Sequence, residues 1–437
     1  MRVHIFKFDN DRSIVFCPDN LSIFVMSRAS ARAAELLSNG NSPQQVSNQI
    51  PTLSIELCER LADHLTRGSV VEASNASTGG ALSRLVLHVS NNCNMCCRYC
   101  YAACGSYGLH RTMMRPETMY RALDVFYEVY PTIDILQLFG GEPTYNLEVI
   151  EKACVYLKNT NKLTQAGIVT NGTCASKKFV SLIQKYNLAV TVSIDAYEIM
   201  DELRPMRAPR LSSKDIVRKN IHHLLDKTGQ PSQFELTYTI RHVHNNLSIV
   251  KILRELHKEY GDIPVHITPV CTQNVSYKLT SAEPFVQAVS DVYASDFIEM
   301  GAHPYALAAD YAHMLKNHIV SRRICSAGKG TLAVSADGDI YPCFYFVGNS
   351  PFCITNVFDD IVDVRTKLNQ SRVYYDRLAH QRSKQCDVCF ANTLCHGCMG
   401  ANYELTGDMR QAEQSQCDIT RGIIERLISV LAHKAVA

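Results

Sequence analysis

The chain opens with three short apolar segments, 2–8 (RVHIFKF), 12–17 (RSIVFC) and 21–26 (LSIFVM), separated by the turn pairs Asp9-Asn10 and Asp19-Asn20. Apolar runs of this length between turn residues predict strands. Helical spacing follows over 29–38 and is closed by Asn39-Gly40; Ser42-Pro43 opens a second helix, and 53–66 reads as a third. Three strands followed by three small helices predict a winged-helix-like module over residues 1–72. The stretch EASNASTGG (72–80) has no apolar period and reads as linker, within 73–83.

A regular alternation comes next. Apolar runs at 84–89, 134–139, 166–170, 189–194, 234–240 and 265–270 predict strands, and helical patterns lie between them, for example at 116–129, 147–158, 214–226 and 247–260. Strand–helix units in series predict an α/β fold with a curved parallel sheet, a partial (β/α)6 barrel over 84–275. A bridging helical segment would occupy 276–320 and a further domain 321–437. In such folds the site lies in the loops after the strands. The cysteine-rich stretch CNMCCRYCY (93–101) follows the first strand, FGGEPT (139–144) the second and TNGT (170–173) the third, while Asp195 ends the fourth. These motifs, distant in sequence, should meet on one rim.

Composition narrows the chemistry. Lys+Arg number 44 against Asp+Glu 42, so no global basic field points to nucleic acid. No apolar stretch approaches a membrane span, and residues 1–20 lack a signal-peptide pattern, so a soluble, cytoplasmic protein is expected. Eighteen cysteines are many for a reducing compartment, where clustered thiols suggest metal rather than disulfides. Most fall at 93–104 and from Cys325 to Cys417; Cys17 and Cys58 stand alone before them, and the middle holds only Cys154, Cys174 and Cys271.

Cys93, Cys97 and Cys100 form CxxxCxxC. Three thiolates on one tight loop can hold three irons of a [4Fe–4S] cube and leave the fourth open. With Cys96, the same stretch also reads as two CxxC pairs, a zinc pattern, but little chain remains to close a tetrahedron. On the cluster reading Cys96 and Cys104 are bystanders. CNMCCRYCY resembles the signature loop of radical S-adenosylmethionine (SAM) enzymes, and FGGEP resembles their GGEP motif. The resemblance spans 84–275. It implies SAM on the open iron, with its amino group met by the edge of Gly140, Gly141, Glu142 and Pro143. It further implies ribose contacts from Ser193 and Asp195, a carboxylate contact from Arg204, Asn171 on the rim, and Tyr99 near adenine. The implied chemistry is reductive cleavage of SAM to a 5′-deoxyadenosyl radical, which needs an electron donor such as flavodoxin or ferredoxin.

The second cysteine group, Cys325, Cys343, Cys386, Cys389, Cys395, Cys398 and Cys417, is similar to the SPASM extension of that superfamily. Asp337-Gly338 can turn a hairpin that brings Cys325 and Cys343 face to face. The resemblance implies two auxiliary [4Fe–4S] clusters, three in all: one on Cys325, Cys343 and Cys398, the other on Cys386, Cys389, Cys395 and Cys417. Two residues rather than the usual three separate Cys395 from Cys398. The first auxiliary cluster either keeps an open iron or borrows Cys353. A zinc ribbon over 386–398 is the alternative.

The SPASM group acts mostly on peptides and proteins. In its sulfatase-activating branch an aspartate follows the hairpin's second cysteine; Phe344 stands there, which argues against that branch. Residues 1–72 resemble small leader-binding domains of peptide-modification pathways, a mode that would use strand addition. Residues 1–80 carry seven Lys/Arg and eight Asp/Glu, an unpromising surface for phosphate. The expectation is a maturase that installs an oxidative crosslink (C–C, C–O or thioether) in a ribosomally made precursor peptide with a leader. Quinone-cofactor or small-molecule biosynthesis, peptide epimerisation and a non-catalytic iron–sulfur carrier are the alternatives.

Overall fold

The computed structural model describes residues 2–73, 80–294 and 305–436. Most of the expected linker, 74–79, and part of the bridging segment, 295–304, lie outside them. Strands β1 (His4–Lys7), β2 (Arg12–Cys17) and β3 (Ser22–Ser27) form an antiparallel sheet in that order. Helices α1 (Arg28–Ser38), α2 (Pro43–Gln49) and α3 (Ile55–Thr66) follow, each opened by a serine whose side chain accepts a first-turn N–H: Ser27, Ser42 and Ser54. Ser42 and Gln45 complete a capping box, which explains why a helix starts at Ser42-Pro43.

The two-residue strand β4 (Val71–Glu72) leads to β5 (Leu82–Ser90), β6 (Ile133–Gly140), β7 (Gln165–Thr170), β8 (Ala189–Ile194), β9 (Gln233–Tyr238) and β10 (Val265–Pro269). These six are parallel neighbours in sequence order. The short strand β11 (Ile319–Val320) pairs with β4. Then come β12 (Thr331–Val334), β13 (Asp339–Tyr341) and β14 (Thr355–Asn356). The large sheet runs β10-β9-β8-β7-β6-β5-β12-β13-β14, so its two ends do not pair with each other and the barrel stays open.

Side chains alternate across these strands. Leu85, Leu87, Val89, Leu136, Leu138, Ile168, Val190, Val192, Leu236 and Ile267 bury outward against the flanking helices in one apolar core. The opposite parity includes half-buried polar residues, Gln137, Thr191, Ser193, Glu235 and His266, on the inner face. The hairpin between Cys325 and Cys343 is welded to this sheet, because β12 pairs in parallel with β5 through Leu332↔Leu85 and Ala333↔Val86. The N-terminal sheet packs on the C-terminal cysteine region. His4 stacks on Phe390 at 4.1 Å, and Thr393 Oγ1 donates to the Pro18 carbonyl at 2.9 Å. Among the described residues no helix is long and apolar enough to cross a membrane.

A candidate SAM and iron–sulfur site on the barrel rim

The cluster loop and the glycine motif are zipped together. Gly141 N–H donates to the Ser90 carbonyl and Glu142 N–H to that of Asn92, both at 2.7 Å. A Cβ on Gly140 would sit 2.2 Å from Ser90 O, and one on Gly141 2.4 Å from Asn92 O, so only glycine fits at either place. Glu142 is buried. Its carboxylate accepts from Thr144 N–H and Oγ1, from Thr170 Oγ1 at 2.6 Å and from Asn171 N–H at 2.7 Å. Burial pushes this carboxyl up, and those donors oppose the rise. The side chain thus brackets β6 to the TNGT loop, while the backbone edge of the motif, ending in buried Pro143, is what remains to meet a ligand.

Cys93, Cys97 and Cys100 lie within electrostatic reach of one another. Asn171 Nδ2 reaches Cys93 Sγ at 3.6 Å and Asn94 Oδ1 at 2.8 Å. Burial pushes the Cys97 thiol up to about 12, and the Arg204 guanidinium beside it opposes that. Arg204 is itself buried. Its Nη1 donates to the Ile194 carbonyl at 3.3 Å, and its Nε has no partner. An orphaned donor on a buried cation, turned toward thiols and Asp195, is chemically suited to an incoming carboxylate. Burial would lower its pKa, but electrostatic interaction with Tyr99, Cys97 and Asp195 outweighs that and raises it.

Asp195 is fully buried at the end of β8. It accepts from Tyr99 O–H at 2.8 Å, pairs with His242 Nε2 at 2.7 Å and accepts from Ala196 N–H at 2.9 Å. Both its oxygens are therefore engaged within the chain. Ser193 faces inward, opposite Glu235 in the strand register. His242 was not singled out from the sequence; its position in the helix directly after β9, at the rim, was the available signal.

Cys96 and Cys104, expected to be bystander thiols in a disulfide-free protein, are joined as a disulfide with Cα atoms 4.8 Å apart. The bond closes the loop that carries Cys97 and Cys100, and the turns at Ala103 and Cys104 bring the chain back to permit it.

The later cysteines gather in two sets. Cys386, Cys389, Cys395 and Cys417 are within electrostatic reach of one another, as are Cys325, Cys343 and Cys398. Burial raises the thiols of all three members of the second set. The short spacing therefore does not stop Cys398 from joining Cys325 and Cys343. Cys353 does not join them. It is exposed, its Sγ donates to Thr355 O, and its charged neighbours are Asp339, Asp359 and Lys367. Among the described residues no three His, Cys, Asp or Glu side chains are gathered tightly enough for a single metal ion. A cube, whose irons sit at separate corners, needs its thiols spread more widely than a tetrahedral ion does.

The rim is thus an open parallel barrel with three thiols on its first loop and a diglycine edge beside them. Residues 87–256 match the radical SAM superfamily. That match implies SAM and a [4Fe–4S] cluster as cofactors. Over 381 residues, 80% of this chain and 75% of the relative, the sequence is 25% identical to the radical SAM cyclopropyl synthase TigE of Paramaledivibacter caminithermalis. It is 22% identical to a cysteine-type anaerobic sulfatase-maturating enzyme of Clostridium novyi, over 81% of this chain and 97% of that one. Two solved structures share the fold. The AdoMet-bound anSMEcpe superposes with a TM-score of 0.68 at 18% identity, covering 81% of this chain and 96% of that one. Streptococcus suis SuiB bound to S-adenosylmethionine gives 0.53 at 15% identity, covering 95% and 98%.

Proposed function

We propose that this radical SAM enzyme matures a ribosomally made peptide by installing an oxidative crosslink. The observation that supports the reading is that ten cysteines fall into three separate sets, each within electrostatic reach internally: Cys93/Cys97/Cys100, Cys325/Cys343/Cys398 and Cys386/Cys389/Cys395/Cys417. When bound, SAM and the reduced cluster supply a 5′-deoxyadenosyl radical able to take hydrogen from a peptide carbon.

The chain's own residues position these parts. Arg204 offers its orphaned donor to the SAM carboxylate, and the Gly140-Gly141-Glu142-Pro143 edge offers carbonyls to its amino group. Tyr99 is held by Asp195, and through His242 to the helix Ile240–His244. Closing a bond between two peptide atoms removes two hydrogens, so a second electron must leave the substrate. The two C-terminal thiol sets would hold the groups that accept it, and the hairpin between Cys325 and Cys343 pairs directly with β5.

A peptide substrate is supported by SuiB bound to precursor peptide SuiA and by anSMEcpe bound to the Cp18Cys peptide. The relative TigE is a radical SAM cyclopropyl synthase. Residues 1–72 would bind the leader, for which β3 offers an edge unpaired in its sheet.

The test is mass spectrometry of the precursor after reaction with SAM and reductant. The product should be lighter by two hydrogens and should resist fragmentation between the joined residues. Cys325→Ala should keep SAM cleavage and lose the crosslink. A product of unchanged mass carrying solvent deuterium would replace this reading with epimerisation.

A further inference from the structure

The set Cys325, Cys343 and Cys398 offers three thiols where a [4Fe–4S] cube has four corners. Cys353, the next cysteine after Cys343, faces elsewhere. The chain brings a different cysteine to the set. Cys271 lies two residues beyond β10, at the same end of the barrel as the SAM cluster loop. The Val270–Gln273 segment is fastened against the helix that Cys398 opens, Met399–Thr406. Gln273 Nε2 donates to Leu405 O of that helix at 2.7 Å, and Gln416 Nε2, on the C-terminal helix Gln414–Val436, donates to Val270 O at 3.5 Å.

Cys271 Sγ donates to the Ala401 carbonyl at 3.9 Å; the N–H of that same residue donates to Cys398 Sγ at 3.4 Å. The two thiols are within electrostatic reach of each other, and Tyr345, two residues after Cys343, hydrogen-bonds Cys271. Tyr345 packs flat on Tyr101 with ring centroids 4.5 Å apart, and Tyr101 directly follows Cys100. Cys271 therefore lies beside Cys398 and Tyr345, with the carboxylates of Glu404 and Glu413 also near it, and it is partly buried rather than loose on the surface.

We propose that Cys271 supplies the fourth thiolate of the first auxiliary cluster, completing Cys325, Cys343 and Cys398. Binding exchanges the thiol proton for an iron–sulfur bond and changes no oxidation state. The assignment rests on the reading that this set holds a cluster. It makes the barrel itself a ligand of the auxiliary site, so the last strand of the SAM domain and the C-terminal hairpin share one metal group.

The experiment is thiol footprinting with iodoacetamide under anaerobic conditions, read by peptide mass spectrometry. It uses the full chain with Cys93, Cys97 and Cys100 changed to Ala, so that only auxiliary iron remains. Cys271 should be alkylated at least about tenfold more slowly with iron bound than after chelation, because a coordinated thiolate is not free to react. Exposed Cys353 should react at the same rate in both states. In the same background, Cys271→Ala should open one iron, so that added cyanide shifts the cluster's paramagnetic resonance spectrum only in that variant.

Rapid alkylation of Cys271 in the iron-loaded chain, or a cyanide response already present before Cys271 is changed, would overturn the ligand assignment. Absence of iron from the background chain would instead overturn the auxiliary-cluster reading on which it depends.

Discussion

Asp195 and Gly141 show two ways in which single residues set the geometry of the rim. At Gly141 the constraint is steric. The position is flanked by backbone on both sides, Asn92 O at 2.4 Å and Gly105 O at 2.9 Å from any added Cβ. Backbone cannot swing aside as a long side chain can. Gly141→Ala should therefore destabilise the chain by about 1–3 kcal/mol and separate the cluster loop from β6. A lowered urea midpoint together with lost SAM cleavage would show this; unchanged stability would mean that the two loops are not in contact. At Asp195 the constraint is polar. His242 stacks on Tyr238 at 4.6 Å while its Nε2 bonds the buried carboxylate. His242→Phe keeps the ring and removes the bond. It should cost about 1–3 kcal/mol in stability, measured by urea unfolding. The glycine motif and the clustered cysteines were legible in the sequence because each motif is contiguous. Cys271 and His242 were not, since their partners, Ala401 and Asp195, lie 130 and 47 positions away.

Among the elements, the barrel strands and the helices between them were legible to within a few residues, since period-2 and period-3.6 patterns alternate without interruption over 84–275. The union of β12 with β5 was not. A four-residue strand carries too little pattern to name its neighbour, and its place is set by packing. The hairpin has a second anchor in a charged cluster. Asp376, on the helix Ile361–His380, pairs with Arg323 at 2.9 Å and with Lys329 at 3.0 Å, one on each side of Cys325. Partial burial would raise the Asp376 carboxyl, but Lys329 and Arg323 prevail and hold it below its ordinary 3.8. A carboxyl depressed in the folded state contributes stability that is present above its unfolded value and is lost as pH falls through the folded one. In the iron-free chain, Asp376→Asn should therefore lower the urea midpoint by a constant amount above about pH 5, and the gap should close only below 3.8. A gap that persists unchanged at lower pH would mean that the ion pairs contribute nothing to it.

For the whole molecule, the proposed function asks how a peptide would reach the rim. The N-terminal sheet rests on the C-terminal cysteine region and on the C-terminal helix, with Phe8 stacked on His433 at 4.3 Å. Deleting residues 1–72 would expose those surfaces and confound any binding result. The described residues offer a gentler probe. A groove of about 930 Å³ runs beside β3, lined on one side by Leu21, Ile23 and Phe24 and on the other by Ala312, His313, Leu315 and Lys316 of the helix Ala306–Lys316. A peptide that adds a strand there would bond the main chain of β3 and place alternate side chains in the apolar groove. Strand addition ties up backbone N–H groups, so its signature is slowed amide exchange over Ser22–Ser27. Full-length precursor should produce that protection at saturation, while the core peptide without its leader should not. Protection should also appear with SAM and iron absent, because the contact involves neither. Exchange of Ser22–Ser27 unchanged by saturating precursor would exclude β3 as the docking strand and leave the N-terminal sheet a structural appendage of the barrel.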